Sequence, residues 1–221
     1  MKGLVPRRED GAKAASADAP ARGRVQDPPA RTHRAITLRD GQVRQPLLQR
    51  LHAVPSAHTG APGEAEALEL LAFLLGGDET SLLHERLVRD LGCATRVRAA
   101  YWGTAFDQAS FHIRGTPAAG TTPDALDRAI DAVLATVQAN GFPAEDIARA
   151  KTQIVAKALF ARDSQVQLAQ WYGMSLCCGL SIADLDAWQR TIEAVTPEAL
   201  GNALRMLDRQ TGVSGYLLEA A

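Results

Sequence analysis

The chain has 221 residues, of which 46% are hydrophobic and 5% aromatic, and its formal net charge is −1. This length is enough for a sizeable core in one or two domains, and a charge so close to zero provides no field that would attract nucleic acid or an anionic membrane. No apolar run approaches the ~20 residues of a transmembrane helix. The N-terminus carries charge but lacks the apolar stretch of a secretory signal, so we expect the chain, as written, in the cytoplasm.

Residues 1–35 differ in composition from the rest of the chain. They contain eight Lys/Arg against four Asp/Glu, and their only large aliphatic residues are Leu4, Val5 and Val25. Such a segment cannot bury enough apolar surface to offset the entropy of ordering it. We therefore predict a disordered tail or linker over 1–35 and a folded domain over 36–221.

The first half of the folded domain is predicted from hydrophobic periodicity. Leu68, Leu71 and Leu75 fall at i, i+3 and i+7, which places them on one face of a helix, and Gly76 is a natural end for that helix. In chain order, the pattern predicts strands at 36–38 and 43–55, helices from Pro62 to Leu75 and from Ser81 to Leu91, and strands at 94–102 and 105–114.

The second half reads as mainly helical, with local signals at the helix starts. Thr122 and Thr196 are N-cap residues that precede a proline at the first helical position, and Ser181 with Asp184 has the spacing of a capping box. The pattern predicts helices beginning near Pro123, Pro143, Ser164, Ser181 and Pro197, and a final strand at 212–218. The whole order indicates an α+β fold in which helices pack on one face of a mainly antiparallel sheet.

Residues 75–94, LGGDETSLLHERLVRDLGCA, carry the most specific signal: a glycine pair, a polar turn, a short leucine-rich helix, a glycine and a strand. Together with VRQPLLQRLHAVPS (43–56), DIARAK (146–151) and IEAVTPE (192–198), this stretch resembles the C-terminal half of the insulinase/pitrilysin zinc metallopeptidases. The resemblance extends over about 38–218 and is closest to the partnered, bacterial processing-peptidase-like subfamily. It implies the C-terminal-domain sandwich of those enzymes.

The resemblance also implies that this half does not bind zinc. Catalysis in the family belongs to the other half, which carries an inverted zinc motif, H-x-x-E-H, and none of the five histidines here is followed by that Glu and His. Some C-terminal halves supply an Arg and a Tyr to the substrate, but the matching positions are Val88 and Thr95, while Arg89 and Tyr101 have the wrong spacing. We therefore assign no catalytic, cofactor-binding or metal-binding residue.

The implied function is that of a non-catalytic domain that supports peptide binding and subunit association. Its expected partners are an N-terminal zinc-bearing half or a partner peptidase subunit, and an extended peptide added at a sheet edge. Two alternatives remain open: a free-standing enzyme with an unrecognised site, whose titratable residues would gather in one pocket, and a non-functional gene remnant, which would leave apolar surface exposed.

Several short motifs come close to catalytic ones without matching them. His84-Glu85 begins like H-E-x-x-H, but Val88 cannot bind metal. Gly173-Met174-Ser175-Leu176-Cys177 resembles a nucleophile elbow, yet it lies in a helical context and Cys177 replaces the final glycine. Gly76-Gly77 lacks the Lys that follows in a phosphate-binding loop. The three cysteines, Cys93, Cys177 and Cys178, have no C-x-x-C spacing and are interpreted as buried free thiols.

Overall fold

A computed structural model describes residue 28 and residues 30–220, so most of the predicted tail lies outside the described residues. The strands are β1 (Arg34–Asp40), β2 (Leu47–Val54), β3 (Ala94–Trp102), β4 (Ala109–Pro117) and β5 (Val213–Glu219). The helices are α1 (Glu64–Gly76), α2 (Leu82–His84, continued by a π-helix over Glu85–Asp90), α3 (Pro123–Asn140), α4 (Ala144–Ala161), α5 (Gln165–Cys177), α6 (Ile182–Ala194) and α7 (Pro197–Arg205). A short 3-10 turn (Arg209–Thr211) precedes β5. None of the described helices is both long and apolar enough to cross a bilayer.

The described strands form one sheet in the order β1-β5-β2-β4-β3. All neighbours are antiparallel except β1 and β5, which run parallel. The last of the described strands, β5, is therefore inserted between the first two, β1 and β2. The α+β prediction, a mainly antiparallel sheet with helices on one face, is confirmed.

Helix α1 lies at the centre of the core. Leu68, Leu70, Leu71 and Leu75 are all fully buried, and α1 contacts β3, α4, α6 and α7. The sequence predicted one buried face, but a helix that is hydrophobic on nearly all sides is buried on all sides. Here the sheet covers one side and the other helices cover the rest.

The end of α1 passes directly over β3 at Gly76. A Cβ atom added there would lie 2.1 Å from the backbone nitrogen of Ala99. The next residue, Gly77, has φ −71° and ψ −31°, which any residue can adopt. The glycine pair therefore ends α1 as the sequence predicted, but without a positive φ at Gly77. Close packing of α1 on β3 at Gly76, rather than backbone freedom, requires a glycine here.

Four helices begin at side-chain caps that the sequence places at their starts. The side chains of Thr122, Ser164, Ser181 and Thr196 each accept a hydrogen bond from a backbone N–H in the first turn of the helix they begin. Ser181 and Asp184 form the predicted capping box. These hydrogen bonds depend on neighbouring residues only, so the sequence determines them without knowledge of the fold.

Three details differ from the sequence prediction. The strand predicted from residue 105 begins at Ala109, because residues 103–108 form a loop instead. The second helix, predicted from Ser81 to Leu91, is α-helical only over Leu82–His84 and π-helical over Glu85–Asp90. The π-helical turn rotates side chains away from a 3.6-residue period, and Leu91 after it is 65% exposed. Cys177 is exposed, and Cys93 and Cys178 are half-buried, so the prediction of buried thiols is wrong for Cys177.

A buried charge cluster connects the strands to α3. The guanidinium of Arg50, which is 1% exposed, donates to Asp127 Oδ1 at 2.5 Å and to Asp131 Oδ1 at 2.6 Å. Asp127 Oδ2 also accepts from Tyr216 Oη at 2.9 Å and forms an ion pair with Arg209 Nη2, at 2.9 Å. Burial favours the neutral form of Asp127, but the nearby Arg50 charge and the hydrogen bonds outweigh it, so the pKa of this carboxyl is held below its ordinary value.

Candidate functional site

The face of the sheet opposite the helices is the first candidate site. Side chains alternate along each strand, so Leu48 and Arg50 point to the helices while Gln49 and Leu51 point the other way. We call this second surface the open face. Within the described residues it includes exposed large side chains, since Ile36 is 63% and Trp102 62% exposed.

Half of the open face is aliphatic. The register places Leu38, Leu217 and Leu47 side by side across β1, β5 and β2, and pairs Val213 with Leu51 further along the same two strands. With Ile36 these residues form what we call the aliphatic strip: Ile36, Leu38, Leu47, Leu51, Val213 and Leu217. Leu38 is 60% exposed, so this part of the open face presents apolar surface without a partner among the described residues.

The other half of the open face is polar and centres on His112. Its ring centroid lies 4.0 Å from that of Trp102, its Nε2 is 2.7 Å from Ser110 Oγ, and its Nδ1 is 3.3 Å from Gln49 Nε2. Burial and then the Arg114 charge lower the pKa of His112. The neutral imidazole is thus held by hydrogen bonds at both nitrogens rather than left available for a reaction.

The sheet has two edge strands. Among the described residues β1 pairs only with β5, and β3 pairs only with β4. An edge strand leaves a row of backbone N–H and C=O groups that can pair with an incoming chain. The outer edge of β1 lies beside the aliphatic strip, so one extended segment could contact both.

The positions matched to the family's Arg/Tyr pair lie near the opposite edge. Val88 is half-buried in the π-helix, and Thr95 is exposed at an irregularity in β3, where its hydroxyl donates to Thr116 O at 3.3 Å. Tyr101 lies on the helix side and donates to Pro55 O at 2.7 Å. Tyr101 therefore points away from the open face.

The sequence predicts no metal-binding residue in this half of the family. Within residues 30–220 no group of three or more His, Cys, Asp or Glu side chains is positioned to hold a metal. His84 and Glu85 lie at the start of the short helix with Val88 one turn on, and His52 is buried beside Arg50. The residues present therefore do not fit a zinc site. The Gly173–Cys177 segment also lies wholly within α5, so it lacks the strand-to-helix turn of a nucleophile elbow.

A cavity on the helix side was not predicted from sequence. It has a volume of about 790 Å³ and lies between α1, α5, α6 and the loop that precedes α1. Two acidic side chains of α1, Glu66 and Glu69, line it together with Trp188, whose Nε1 donates to Glu69 Oε2 at 2.8 Å. Glu69 and Trp188 are 119 residues apart, which is why no local pattern revealed the pair.

Comparison with known protein families identifies the family of this domain. Residues 5–154 match the family described as "Peptidase M16 inactive domain". The chain belongs to this family. It is a non-catalytic half of a zinc-protease-like protein, and the insulinase-type resemblance inferred from residues 75–94 is confirmed. The match begins inside the segment predicted as a tail, and the domain boundary at 35 stays a prediction.

Solved structures show the same fold. A Helicobacter pylori protease has a TM-score of 0.78 at 16% identity, over 86% of this chain and 45% of that one. A peptidase M16 inactive domain from Pseudomonas fluorescens has a TM-score of 0.71 at 16% identity, over 92% and 48%. The inactive peptidase domain of a zinc protease from Bordetella parapertussis has a TM-score of 0.71 at 16% identity, over 83% and 95%.

The chain thus spans less than half the length of the first two of these structures and nearly all of the third. No curated protein matches this chain. At these identities the structural likeness describes the fold of the M16 inactive domain and does not extend to a substrate or a partner.

Proposed function

We propose that this M16 inactive domain docks a zinc-bearing peptidase half on its open face and helps to hold an extended peptide at the outer edge of β1. The aliphatic strip is the observation that carries this proposal. Burying apolar surface contributes about 25 cal/mol per Å², and contiguous apolar patches on a folded domain are typical of interaction sites.

The likeness to the Helicobacter pylori protease supports a partner of this kind. This chain matches 45% of that protein, so the remaining length of that protein is available for a further domain. A domain that normally lies against another half would carry an apolar, helix-free sheet face, as the aliphatic strip does.

Binding of an extended peptide follows from the free edge of β1. Its unpaired backbone groups can add one more strand by main-chain hydrogen bonds, which need no particular side chains. This mode would position a peptide without contributing to its hydrolysis. The chain lacks H-x-x-E-H and so lacks the metal-activated water of metal-assisted hydrolysis, and Val88 and Thr95 cannot supply the Arg/Tyr contacts.

The test uses the purified chain and a separately expressed zinc-bearing M16 half, measured by calorimetry and by peptidase assay. We expect association of the two, and no chelator-sensitive hydrolysis by this chain alone. The double variant Ile36→Asp/Leu38→Asp should weaken association by at least ~100-fold, because it places two charges in an apolar contact. Phe160→Asp is the matched control: Phe160 is also exposed, at 76%, but lies at the end of α4 on the helix side.

The outcomes separate the alternatives. Hydrolysis by this chain alone that a chelator abolishes would defeat the proposal. A stable, folded chain that binds neither a zinc-bearing half nor a partner peptidase subunit would favour the alternative of a non-functional gene remnant. Equal losses from the β1 double variant and from Phe160→Asp would place the contact somewhere other than the open face.

A further inference from the structure

The cavity on the helix side has the size and the composition of a ligand site. Small-molecule sites usually occupy ~300–1,000 Å³ and combine apolar walls with a few polar groups, and this cavity measures about 790 Å³. Its walls include the aromatic residues Tyr101, Trp171 and Trp188 and the small or aliphatic residues of α1 and α6. The cavity is separate from the open face, so a ligand site there is independent of the proposed function.

The charges that line the cavity are predominantly negative. Glu66, Glu69 and Asp184 contribute carboxylates, against one guanidinium, that of Arg162, and the imidazole of His58 among the lining residues that the structure describes. Glu66 and Glu69 are adjacent on one face of α1, and the indole hydrogen bond fixes the second of them in place. Carboxylates held close together in a half-enclosed space repel each other, and a bound cation would relieve that repulsion.

The aromatic wall suits a cation as well. A guanidinium or ammonium group within ~6 Å of a Trp ring centroid is attracted by the ring quadrupole. The chain itself shows this contact, since the guanidinium carbon of Arg162 lies 5.8 Å from the Trp171 ring centroid. The rim of the cavity thus already accommodates one cation against an aromatic face.

Ser175 adds a hydroxyl to the cavity wall. The residue is 1% exposed and lines the cavity. A hydroxyl oxygen accepts hydrogen bonds from N–H groups. A ligand with N–H donors placed in the cavity would have Ser175 Oγ available as an acceptor, together with the Glu69 oxygen that Trp188 does not use.

We propose that this cavity binds an aliphatic ligand that ends in a primary ammonium or guanidinium group, with the cation at Glu69 and Glu66 and the aliphatic part between Trp171 and Trp188. Two sources share this chemistry: a free alkyl amine and the side chain of a Lys or Arg residue in a peptide. The carboxylates would pair with the charge of the ligand, and the two indoles would pack against its aliphatic part. Ser175 would form one additional hydrogen bond.

The test is calorimetric titration of the full chain with two cations, 1,5-diaminopentane and Nα-acetyl-lysine amide, which keeps its ε-ammonium group. Nα,Nε-diacetyl-lysine amide, in which that group is neutralised, is the neutral analogue. We expect saturable binding of at least one of the two cations and none of the neutral analogue. Binding of the diamine only would identify a free amine as the source, and binding of the blocked lysine would identify a peptide side chain. Glu69→Gln should weaken binding at least ~10-fold, because a charge-assisted hydrogen bond is lost.

Two controls keep the result interpretable. Glu79→Gln changes an exposed glutamate in the turn after α1 and should leave the affinity unchanged, while thermal unfolding of each variant verifies that it folds. A bound cation favours the charged form of the Glu69 carboxyl, so binding should release a proton from it. Titration near pH 7 in buffers of different ionisation enthalpy should show this release for the wild type and none for Glu69→Gln. The proposal is overturned if neither cation binds at millimolar concentration, if the neutral analogue binds as well as the lysine, or if Glu69→Gln binds like the wild type.

Discussion

Arg50 Nη2 lies 2.5 Å from Asp127 Oδ1, and neither side chain is more than 1% exposed. Removing Asp127 breaks this buried pair and leaves Arg50 with the partly exposed Asp131 as its remaining carboxylate among the described residues. Breaking a buried ion pair costs ~3–5 kcal/mol. We therefore expect Asp127→Ala to lower the free energy of unfolding by roughly that amount, measured by urea titration at pH 7. The loss should exceed that of any single aliphatic truncation on the open face.

A double variant that replaces both charged partners with apolar residues complements this measurement. Arg50→Met/Asp127→Leu should recover much of the loss, because buried ion pairs are often matched in stability by apolar residues of similar volume. The exposed pair Arg86–Asp90, with a 2.9 Å contact, serves as the reference; Asp90→Ala should cost less than ~1 kcal/mol. If Asp127→Ala and Asp90→Ala cost the same, the buried cluster does not stabilise the fold.

The buried cluster also shows where sequence reasoning stops. The strand containing Arg50 was predicted, but with imperfect alternation, because Arg50 and His52 occupy buried positions that hydropathy assigns to solvent. Asp127, the partner of Arg50, is 77 residues away and lies in α3, for which the sequence predicted the start of a helix but no buried charge. A pattern of single residues cannot reveal that two charges will neutralise each other inside the core.

Gly76 should not tolerate even a methyl group. Because the added Cβ would lie 2.1 Å from Ala99 N and 2.7 Å from the carbonyl carbon of Arg98, α1 would have to move off β3. We expect Gly76→Ala to cost more than ~2 kcal/mol, within the range of overpacked cores. Gly201→Ala in α7 is the matched control: a Cβ there meets nothing within 4 Å, so it should stabilise by ~0.5–1 kcal/mol. Equal melting temperatures for the two variants would contradict the close approach.

Lys151 is expected to matter more than its position on a charged helix face suggests. It lies in the charged segment DIARAK (146–151), but its Nζ donates to Glu193 O and to Val195 O, at 2.7 Å each. These carbonyls end α6, where a cation is favourable. Lys151→Met should lower the free energy of unfolding by ~1–2 kcal/mol, whereas Arg149→Met, which removes only an exposed pair with Asp146, should cost less than ~0.5 kcal/mol. Urea titration of both variants distinguishes a helix cap from solvated charge.

The Lys151 contacts show which features the family resemblance predicts and which it does not. The pattern at 146–151 indicated the family and its helix, and both are confirmed. It gave no information on the far end of α6, since that contact joins residues more than 40 positions apart. The Glu69–Trp188 pair in the cavity was missed for the same reason, whereas the caps at Thr122 and Ser181 were predicted because they are local.

His52 should make the fold sensitive to acid. Its ring is fully buried, and neither ring nitrogen has a hydrogen-bond partner among the described residues. Burial, reinforced by the Arg50 charge, lowers its pKa to about 4. The unfolded chain binds a proton near pH 6.5 and the folded chain does not, so His52 stabilises the fold fully above pH 6.5 and loses that contribution as the pH falls towards 4. Relative to His52→Leu, the wild type should lose ~3 kcal/mol over this window. A constant difference across the window would show that the pKa of His52 is the same in the folded and unfolded chains.

Glu69 should have the opposite effect on the pH dependence. Burial raises its pKa to about 7, against the lowering effect of the Trp188 hydrogen bond. Below pH 4.5 the carboxyl is neutral in the folded and unfolded chains alike, and between 4.5 and 7 the folded chain binds the extra proton, so stability falls as the pH rises through this window.

Glu69→Gln keeps an acceptor for the Trp188 indole and removes the charge, so its stability relative to the wild type should increase with pH. We expect a difference near zero at pH 4 and a gain of roughly 2 kcal/mol at pH 8, a value reduced for partial solvation of the cavity. The measurement is urea unfolding of both proteins at several pH values, with Glu79→Gln as an exposed control that should show no such trend. Addition of a bound cation at pH 8 should reduce the gain, because the cation offsets the buried charge of Glu69 in the wild type only. A variant whose advantage does not change with pH would mean that Glu69 is already well solvated, and the cavity would then be too wet to select a cation.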